Sequence, residues 1–304
     1  MKIKNQFLFS FIAVLFLLTL TGCTNSKTPE MANELHFSLG EIYDVTISYD
    51  EETITFFETD GDELIVKEYM TEDKTSYYAD VDKDRDSIHI SEGGKPLFKD
   101  GFSRYIEVYL PVTYTEALTI TTTDGNIDLS NISLQLSMLR IDSTVGTVKL
   151  REATASNIHL STTSGTLELG NITADTIKLD TTSGNITCDE LAGNITYTST
   201  SGNADIKSAI GSGSYKANNS GQLNIVYTEV TGDLSFYNKN DDIKLTLPTE
   251  LEFEFEATTK NGSVSTTFQE CISIDGKTTR GTVGNNPTVT VKAETNNGNI
   301  EVSQ

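Results

Sequence analysis

Apolar and polar residues alternate one by one over most of the chain after residue 34. Pairs such as Ile158 with Leu160 and Ile177 with Leu179 have a single polar residue between them. This period of two places one face of a β-strand inward and the other in water, and the 3.6-residue period of a helix is not sustained beyond the N-terminal segment. The pattern therefore predicts an all-β protein.

A template of about 19 residues repeats within this alternating region. Residues 162–169 (TTSGTLEL) and 181–188 (TTSGNITC) both place a polar triplet and a glycine ahead of alternating apolar positions. The template glycines follow one another at spacings of 21, 19, 19, 18 and 19 residues: Gly125, Gly146, Gly165, Gly184, Gly202 and Gly221. Weaker copies occur at 240–245, 260–264 and 297–300.

A fixed period of this length is typical of a β-solenoid, or β-helix, in which successive coils stack on one another. At about 4.8 Å per layer, eight or nine coils would form a rod on the order of 40 Å long. Right-handed winding is the usual outcome for parallel β connections, and we expect it here. Side chains of Ile, Leu and Val from each coil would fill the interior.

The segment 35–111 lacks the template but has the same alternation. It predicts strands at 45–49, 54–58, 64–69, 76–81, 87–91 and 105–110. The end of a solenoid offers unpaired strand edges, so we expect this segment to form an antiparallel β cap on the repeats of 112–304. No linker rich in proline, glycine or serine separates the two parts. The sequence therefore predicts a single domain over 35–304.

The N-terminus has the pattern of an export signal, with Lys2 and Lys4 ahead of an apolar run over 7–20. This run is shorter than the roughly 20 residues that cross a bilayer. The residues LTGC that end at Cys23 resemble the lipobox of bacterial prolipoproteins. We expect a signal peptide over 1–22, cleavage before Cys23 and acyl chains on its sulfur, followed by a flexible tether over 23–34. The protein would be held at the extracytoplasmic face of the cell membrane.

The chain is strongly acidic, with 44 Asp and Glu against 22 Lys and Arg and a net charge of −22. Loss of Lys2 and Lys4 with the signal would bring the mature chain near −24 (20 basic against 44 acidic). A field of this sign disfavours nucleic acid and anionic lipid headgroups as partners. We predict that Cys188 and Cys271 are small buried residues, and a disulfide between them stays open.

Catalytic and cofactor motifs are missing from the sequence. His36, His89 and His159 are scattered, and no zinc signature, phosphate loop or nucleophile elbow occurs. A β-helix can bring carboxylates of neighbouring coils together, and Asp128, Glu168 and Asp205 are the outward candidates for such a carbohydrate-active site. We predict no cofactor and no enzymatic activity, with solvated surface positions for these side chains.

Asp80, Asp82, Asp84 and Asp86 form an every-second-residue acidic run that could offer oxygen ligands to Ca²⁺. The EF-hand pattern fails, because its sixth position is Arg85 rather than glycine and its twelfth is serine rather than glutamate. The run is therefore a weak metal candidate, and a solvated loop is the simpler interpretation.

Threonine pairs recur before the template glycines and could stack as hydroxyl ladders: Thr122/Thr123, Thr162/Thr163, Thr181/Thr182 and Ser199/Thr200. Such an array could bind sugars or ice. The simpler interpretation is that threonine is a good strand residue whose hydroxyl satisfies neighbouring turns.

The segment 104–111 (RYIEVYLP), the Asp124–Gly125 turn and the closing residues 298–302 (GNIEV) resemble the bacterial family DUF4097, labelled as adhesins. The resemblance covers most of the mature chain. It implies a β-solenoid that is exported or membrane-tethered, with an interaction role and no established catalytic residues. Some members of the family belong to envelope-stress systems of Gram-positive bacteria. The segment 270–286 interrupts the period and departs from the family pattern.

These observations favour a non-catalytic, lipid-anchored surface protein of a Gram-positive envelope, whose partner is another surface protein or a cell-wall glycan. Two alternatives stay open. One is an accessory component or sensor of an envelope-stress response, and the other is a carbohydrate-active β-helix enzyme.

Overall fold

The computed structural model describes residues 27–98, 101–268 and 273–304. Segments in which apolar and polar residues alternate form β-strands in it. The predicted signal peptide over 1–22, Cys23 and Cys271 lie outside these described residues. The described part forms 21 strands and one short 3-10 helix at Thr75–Tyr77. In chain order the strands are β1 Glu30–Ser38, β2 Asp44–Tyr49, β3 Thr53–Thr59, β4 Glu63–Met70, β5 Asp80–Lys83, β6 Ser87–Ser91, β7 Arg104–Pro111, β8 Ala117–Thr122, β9 Ile127–Ser143, β10 Thr147–Thr162, β11 Thr166–Thr181, β12 Asn185–Ser199, β13 Ala204–Ala217, β14 Leu223–Asn238, β15 Ile243–Thr246, β16 Phe253–Thr259, β17 Val264–Thr266, β18 Ser273–Asp275, β19 Thr278–Val283, β20 Val289–Thr295 and β21 Ile300–Ser303.

The six long strands β9 to β14 form successive layers of the solenoid, and we call one layer a rung, whether it is made of one long strand or of two strand segments joined at a corner. Neighbouring rungs pair in parallel, and equivalent positions of the template lie on top of one another. Val148 pairs with Leu167, Leu167 with Ile186 and Ile186 with Ala204. The predicted single-domain, all-β solenoid is confirmed.

Inward residues of successive rungs form a continuous apolar core. Ile186 is 1% exposed, while its neighbour Thr187 faces solvent. Cys188 is a free thiol buried at the position that Leu169 occupies on the rung below, which confirms its role as a small apolar residue. Aromatic rings fill the wider part of the core, where Tyr215 stacks on Phe236 with ring centroids 5.0 Å apart.

At the N-terminal end the rungs do not follow chain order. Strands β2 and β3 form one rung, which is stacked between the rung β6–β7 on one side and β8–β9 on the other. All four of these pairings are parallel, so the solenoid already begins within the segment 35–111. The expected antiparallel pairs are present as well, and they form the outer edges β1–β4–β7 and β5–β6.

The C-terminal end has the same arrangement. The last two strands, β20 and β21, are inserted between the rung β14–β15 and the rung β16–β17. The template copies at 240–245, 260–264 and 297–300 are therefore real rungs, but their expected sequential stacking is wrong. Strands β19 and β18 add an antiparallel edge beyond β16.

Two element boundaries and the number of layers differ from the sequence-based expectations. Strand β1 begins at Glu30 and pairs with β4, so residues 30–34 belong to the sheet rather than to the tether. The strand expected at 76–81 is a 3-10 turn followed by β5 at Asp80. The parallel ladder is also longer than eight or nine layers, since it runs β7, β3, β9 to β14, β15, β21 and β17.

The corner between rungs is closed by a buried hydroxyl and a glycine. Thr181 lies inward and its Oγ1 accepts a hydrogen bond of 2.7 Å from the backbone N–H of Gly184. A Cβ on Gly184 would lie 2.3 Å from the carbonyl oxygen of Gly165 on the next rung, so the close stacking of corners requires glycine. The threonine pairs are therefore not flat ladders, because the first member of each is buried and only the second faces solvent.

A buried charged cluster holds the N-terminal rungs together. The side chain of Arg104 is fully buried and donates to Glu52 Oε1 at 3.0 Å, to Glu92 and to the carbonyl oxygen of Tyr77 at 2.8 Å. Glu52 lies at the corner between β2 and β3, and Glu92 opens the loop from β6 to β7. The cluster therefore ties two rungs to the turn that follows β4.

Candidate interaction groove on the solenoid

An open groove of about 350 Å³ crosses one outward face of the rungs β9 to β13. Its floor is one column of equivalent positions on successive rungs, in the order Ser130, Arg151, Gly170, Asp189 and Lys207. A Cβ on Gly170 would lie only 2.1 Å from the carbonyl oxygen of Arg151. The close stacking of these two rungs therefore requires glycine, and no side chain stands at this position between Arg151 on one side and Asp189 on the other; we call this gap the notch.

Three cations, Lys149, Arg151 and Lys207, line the groove, although the protein has twice as many acidic as basic residues. Lys207 Nζ is 2.7 Å from Asp189 Oδ1, and this hydrogen bond raises the pKa of Lys207. Lys149 Nζ is 3.6 Å from Glu168 Oε2. Both pairs are exposed, so each stabilises the fold by little and its cation stays available to a ligand.

Arg151 is bound differently from the two lysines. Its Nη2 donates to Ser133 Oγ at 2.9 Å, and Ser133 in turn donates to Glu152 Oε2 at 2.8 Å. Among the described residues no carboxylate oxygen lies within 4.0 Å of the Arg151 guanidinium. Most of its five donors therefore remain for a planar anionic group in the groove.

The groove contains no activated nucleophile among the described residues that line it. Cys188 lies beneath the floor and hydrogen-bonds to the carbonyl oxygen of Glu190 at 3.3 Å. Burial raises the pKa of this thiol to about 12. It is therefore protonated at neutral pH, and thiolate chemistry is not available there.

The three outward carboxylates named from the sequence lie on one column, but other side chains separate them. Lys149 stands between Asp128 and Glu168, and Thr187 stands between Glu168 and Asp205. Carboxylates two rungs apart have backbones about 9.6 Å apart. Asp128 accepts from the Ser130 backbone and Asp205 from Asn224, at 2.9 and 2.8 Å, so neither points at a shared reacting centre.

The histidines do not converge. His159 lies on a different outward face, where its Nε2 is 2.9 Å from Asp180 Oδ2 and its Nδ1 is 3.3 Å from Arg140 Nη1. Partial burial of Asp180 opposes ionisation, but hydrogen bonds from Lys178 and His159 hold its pKa below the usual value. His36 contacts Glu34 and Glu63 at the β1–β4 edge, and His89 is exposed on β6.

The acidic run is spread along an edge hairpin. Asp80 and Asp82 belong to β5, while Asp84 and Asp86 lie in the turn to β6, and all four are exposed. Over the described ranges, no three His, Cys, Asp or Glu side chains are grouped so as to hold a metal ion. Ca²⁺ binding there stays an untested hypothesis.

Sequence reasoning missed the cations of the groove. Arg151 and Lys207 occupy the same template position, directly after an inward residue at Leu150 or Ile206, rather than forming a run in the sequence. The register of the template glycines contained this signal. When the repeats are aligned on these glycines, the position that holds Arg151 and Lys207 holds Gly170 in a repeat between them.

Solved structures that are similar to this chain include three candidate adhesion proteins at low identity. A candidate adhesin from Parabacteroides distasonis is 13% identical, with 89% of this chain and 96% of that one covered and a TM-score of 0.45. A second from Bacteroides fragilis is 14% identical, with the same coverage and a TM-score of 0.40. A candidate cell adhesion protein from Clostridium sporogenes is 11% identical, with coverage of 91% and 99% and a TM-score of 0.26.

Three further findings concern curated relatives, membrane-spanning helices and the family of the chain. A search of curated proteins gave no match. In the part of the chain that the structure describes, no helix is long and apolar enough to span a bilayer. The sequence profile of the family described as Toastrack DUF4097 matches residues 42–303, which is most of the chain. The solenoid with its inserted terminal rungs therefore belongs to the Toastrack DUF4097 family.

Proposed function

We propose that this chain is a non-catalytic interaction protein, displayed at the extracytoplasmic face of the membrane of a Gram-positive cell by lipid on Cys23. Its contact surface is the groove around Arg151 and Gly170. The observation that carries the proposal is the Arg151 guanidinium, which lines the groove, is held by Ser133 and has no carboxylate partner among the described residues.

The chemistry of the groove favours a ligand with isolated carboxylate groups. A guanidinium presents two parallel N–H donors that match the two oxygens of a carboxylate. Lys149 and Lys207 flank Arg151, while Glu168 and Asp189 supply acceptors for hydroxyl or amide groups of the same ligand. A cell-wall glycan with acidic substituents fits this combination, and an acidic segment of a surface protein is the other source of such groups.

The overall charge limits which anions bind. A net charge of −22 repels long polyanions over distances of about 8–10 Å at moderate salt, so the ligand must bring its acidic groups singly into the groove. Binding would then weaken only modestly with salt. Nucleic acid, with a charge at every phosphate, does not meet this condition.

Binding to purified cell-wall fragments tests the proposal with matched variants. Arg151→Glu reverses the charge at the notch, and Lys292→Glu makes the same change at an exposed, ion-paired lysine outside the groove. We expect at least about a ten-fold loss of wall binding for Arg151→Glu, which corresponds to about 1.4 kcal/mol, and no comparable loss for Lys292→Glu. Equal binding by all three proteins, or release of soluble sugars by the wild-type chain, would overturn the proposal.

Membrane attachment is tested separately. In cells that make the full chain, we expect the wild type in the membrane fraction with acyl chains on Cys23, and the Cys23→Ala variant outside it. Mass spectrometry of the N-terminal peptide is the measurement. An unmodified Cys23 in membrane-bound protein would contradict the lipid anchor while leaving the groove proposal intact.

A further inference from the structure

We propose that the loop between β6 and β7 carries an apolar tip, Leu97 and Phe98, that inserts into the same membrane surface that holds the anchor. This inference rests on the proposed lipid at Cys23. It adds a second membrane contact and a fixed orientation, with the N-terminal rungs facing the bilayer.

The tip is the most exposed apolar surface that the structure describes. The side chain of Leu97 is 97% exposed and that of Phe98 is 85% exposed, the two highest values among the exposed large hydrophobic residues. Two adjacent side chains of this size are normally packed away from water. Pro96 precedes them, which limits the backbone freedom of the tip.

Contacts with neighbouring elements hold the described residues at both bases of this loop. The backbone N–H of Thr71 donates to the carbonyl of Ser103 at 3.0 Å, and the N–H of Ser103 donates back to Thr71 Oγ1 at 3.0 Å. Phe102 packs edge-on against Tyr77 with ring centroids 5.4 Å apart. On the other side of the tip, the N–H of Gly94 donates to the Ser76 carbonyl at 3.0 Å.

The start of β1 lies at the same end of the molecule. Glu30 pairs with Met70, and Met70 pairs with Arg104, so the three positions are neighbours across β1, β4 and β7. Two strand spacings, about 9.6 Å, therefore separate the first residue of β1 from the residue that ends the loop. Phe98 is only six residues before Arg104.

The length of chain before β1 forces this end toward the membrane. Six residues, 24–29, lie between Cys23 and Glu30. Even fully extended, they and the flanking bonds reach about 25 Å. With acyl chains on Cys23, the N-terminal rungs are thus confined to a layer close to the lipid surface, and Met31, 52% exposed at the start of β1, adds a third apolar side chain there.

The occupant that fits this tip is the lipid phase rather than an anionic headgroup. The acidic chain gains nothing from negative lipids, whereas insertion of Leu and Phe side chains depends on apolar area alone. We therefore expect insertion into vesicles of zwitterionic lipid and little sensitivity to salt. The tether supplies a high local concentration, so two side chains are sufficient.

The absence of tryptophan from the sequence allows a direct test. Phe98→Trp places a sole tryptophan at the tip, and Ile274→Trp places one at an exposed apolar position on β18, at the opposite end of the ladder. The mature chain, with Cys271→Ser, is coupled through Cys23 to maleimide lipid in phosphatidylcholine vesicles that contain brominated acyl chains. Cys188 does not compete, because it is buried and its pKa is raised.

We expect bromine to quench at least half of the tryptophan emission of the Phe98→Trp variant, with a shift to shorter wavelength, and to leave the emission of the Ile274→Trp variant unquenched. Addition of Leu97→Asp to the tip reporter should remove the quenching, since a charge is excluded from the acyl region. Equal emission from the two reporters, in water-like surroundings, would overturn the inference. Because coupling is chemical, failure here is distinct from failure of the anchor, which the mass of the native N-terminal peptide reports.

Discussion

The side-chain amide of Asn297 donates to Oδ1 of Asn240 over 2.6 Å, although 57 residues separate them along the chain. Asn261 in turn donates to Asn297 Oδ1 at 2.7 Å. The amide ladder thus runs Asn240, Asn297, Asn261, which is the order of the rungs and not of the sequence. These side-chain hydrogen bonds agree with the strand pairing of the backbone. Both place β20 and β21, the last strands in the sequence, in the interior of the solenoid.

The insertion of β20 and β21 predicts that the C-terminus does not fray. Residues Ile300 to Val302 are paired on both sides, with β15 and β17, and Ser303 is paired with β15, whereas β18 has one partner in the described structure. We expect hydrogen exchange of β21 amides to be slowed to the level of β15, and exchange at 273–275 to be much faster. Rapid exchange over 300–303 would contradict the inserted arrangement.

The inward and outward assignments predict a large contrast between neighbouring positions. Ile186→Asp buries a carboxylate in the apolar core and should destabilise the fold by more than about 3 kcal/mol, because the rungs on both sides lose their contacts. Thr187→Asp places the same group in solvent and should change stability by about 0.5 kcal/mol or less. Urea unfolding of the two variants measures the contrast. Similar midpoints would refute the assignment of faces.

The buried hydroxyl of the corner predicts a different contrast. Thr181→Val keeps the shape of the side chain but leaves the Gly184 N–H without its acceptor, which should cost about 1–3 kcal/mol. Thr182→Val changes the exposed member of the pair and should have little effect. Thermal melts of both variants provide the comparison, and a larger loss for Thr182→Val would be inconsistent with the corner described above.

Buried tyrosines predict a loss of stability at alkaline pH. Burial raises the pKa of Tyr197 to about 12, and it raises the pKa of Tyr215 and Tyr227 as well, whose hydroxyls are 3.0 Å apart. In the unfolded chain these phenols ionise near pH 10, while in the folded protein they stay neutral. The folded state is therefore favoured below pH 10, and it loses about 1.4 kcal/mol per pH unit for each such group from there up to the raised pKa of the folded protein, which is about 12 for Tyr197.

The slope of this loss can be assigned to particular residues. The double variant Tyr215→Phe/Tyr227→Phe removes both hydroxyls and leaves no unpaired partner behind. Its free energy of unfolding should fall less steeply than that of the wild type between about pH 10 and 11. Parallel slopes would show that these two phenols are not the cause.

Much of the fold followed from the sequence because the template makes each rung nearly alike. Alternation assigned the inward residues, and the spacing of glycines such as Gly165 and Gly184 assigned the corners. The order of rungs at the two ends could not be read in this way. Ile243, Val264 and Ile300 have the same local pattern, and only long-range packing decides that Ile300 lies between the other two.

The candidate site was harder to predict than the fold. Lys149, Arg151 and Lys207 become neighbours only after the coils are stacked in register, and the notch depends on the missing side chain of Gly170. The carboxylates Asp128, Glu168 and Asp205 lie on outward positions as predicted, but Lys149 and Thr187 come between them once the rungs are stacked. A chemical site in a solenoid is built from equivalent positions on stacked rungs, whereas a sequence motif is built from residues that are close together along one rung.

Photo-crosslinking from the groove in living cells tests the central claim most directly. A photoreactive residue at Thr187 lies in the groove, and one at Thr196 lies on a different outward face of the same rung. We predict a discrete crosslinked product from position 187 that is lost with Arg151→Glu, and none from position 196. Products of equal yield from both positions, or a product from 187 that is unaffected by Arg151→Glu, would contradict the account.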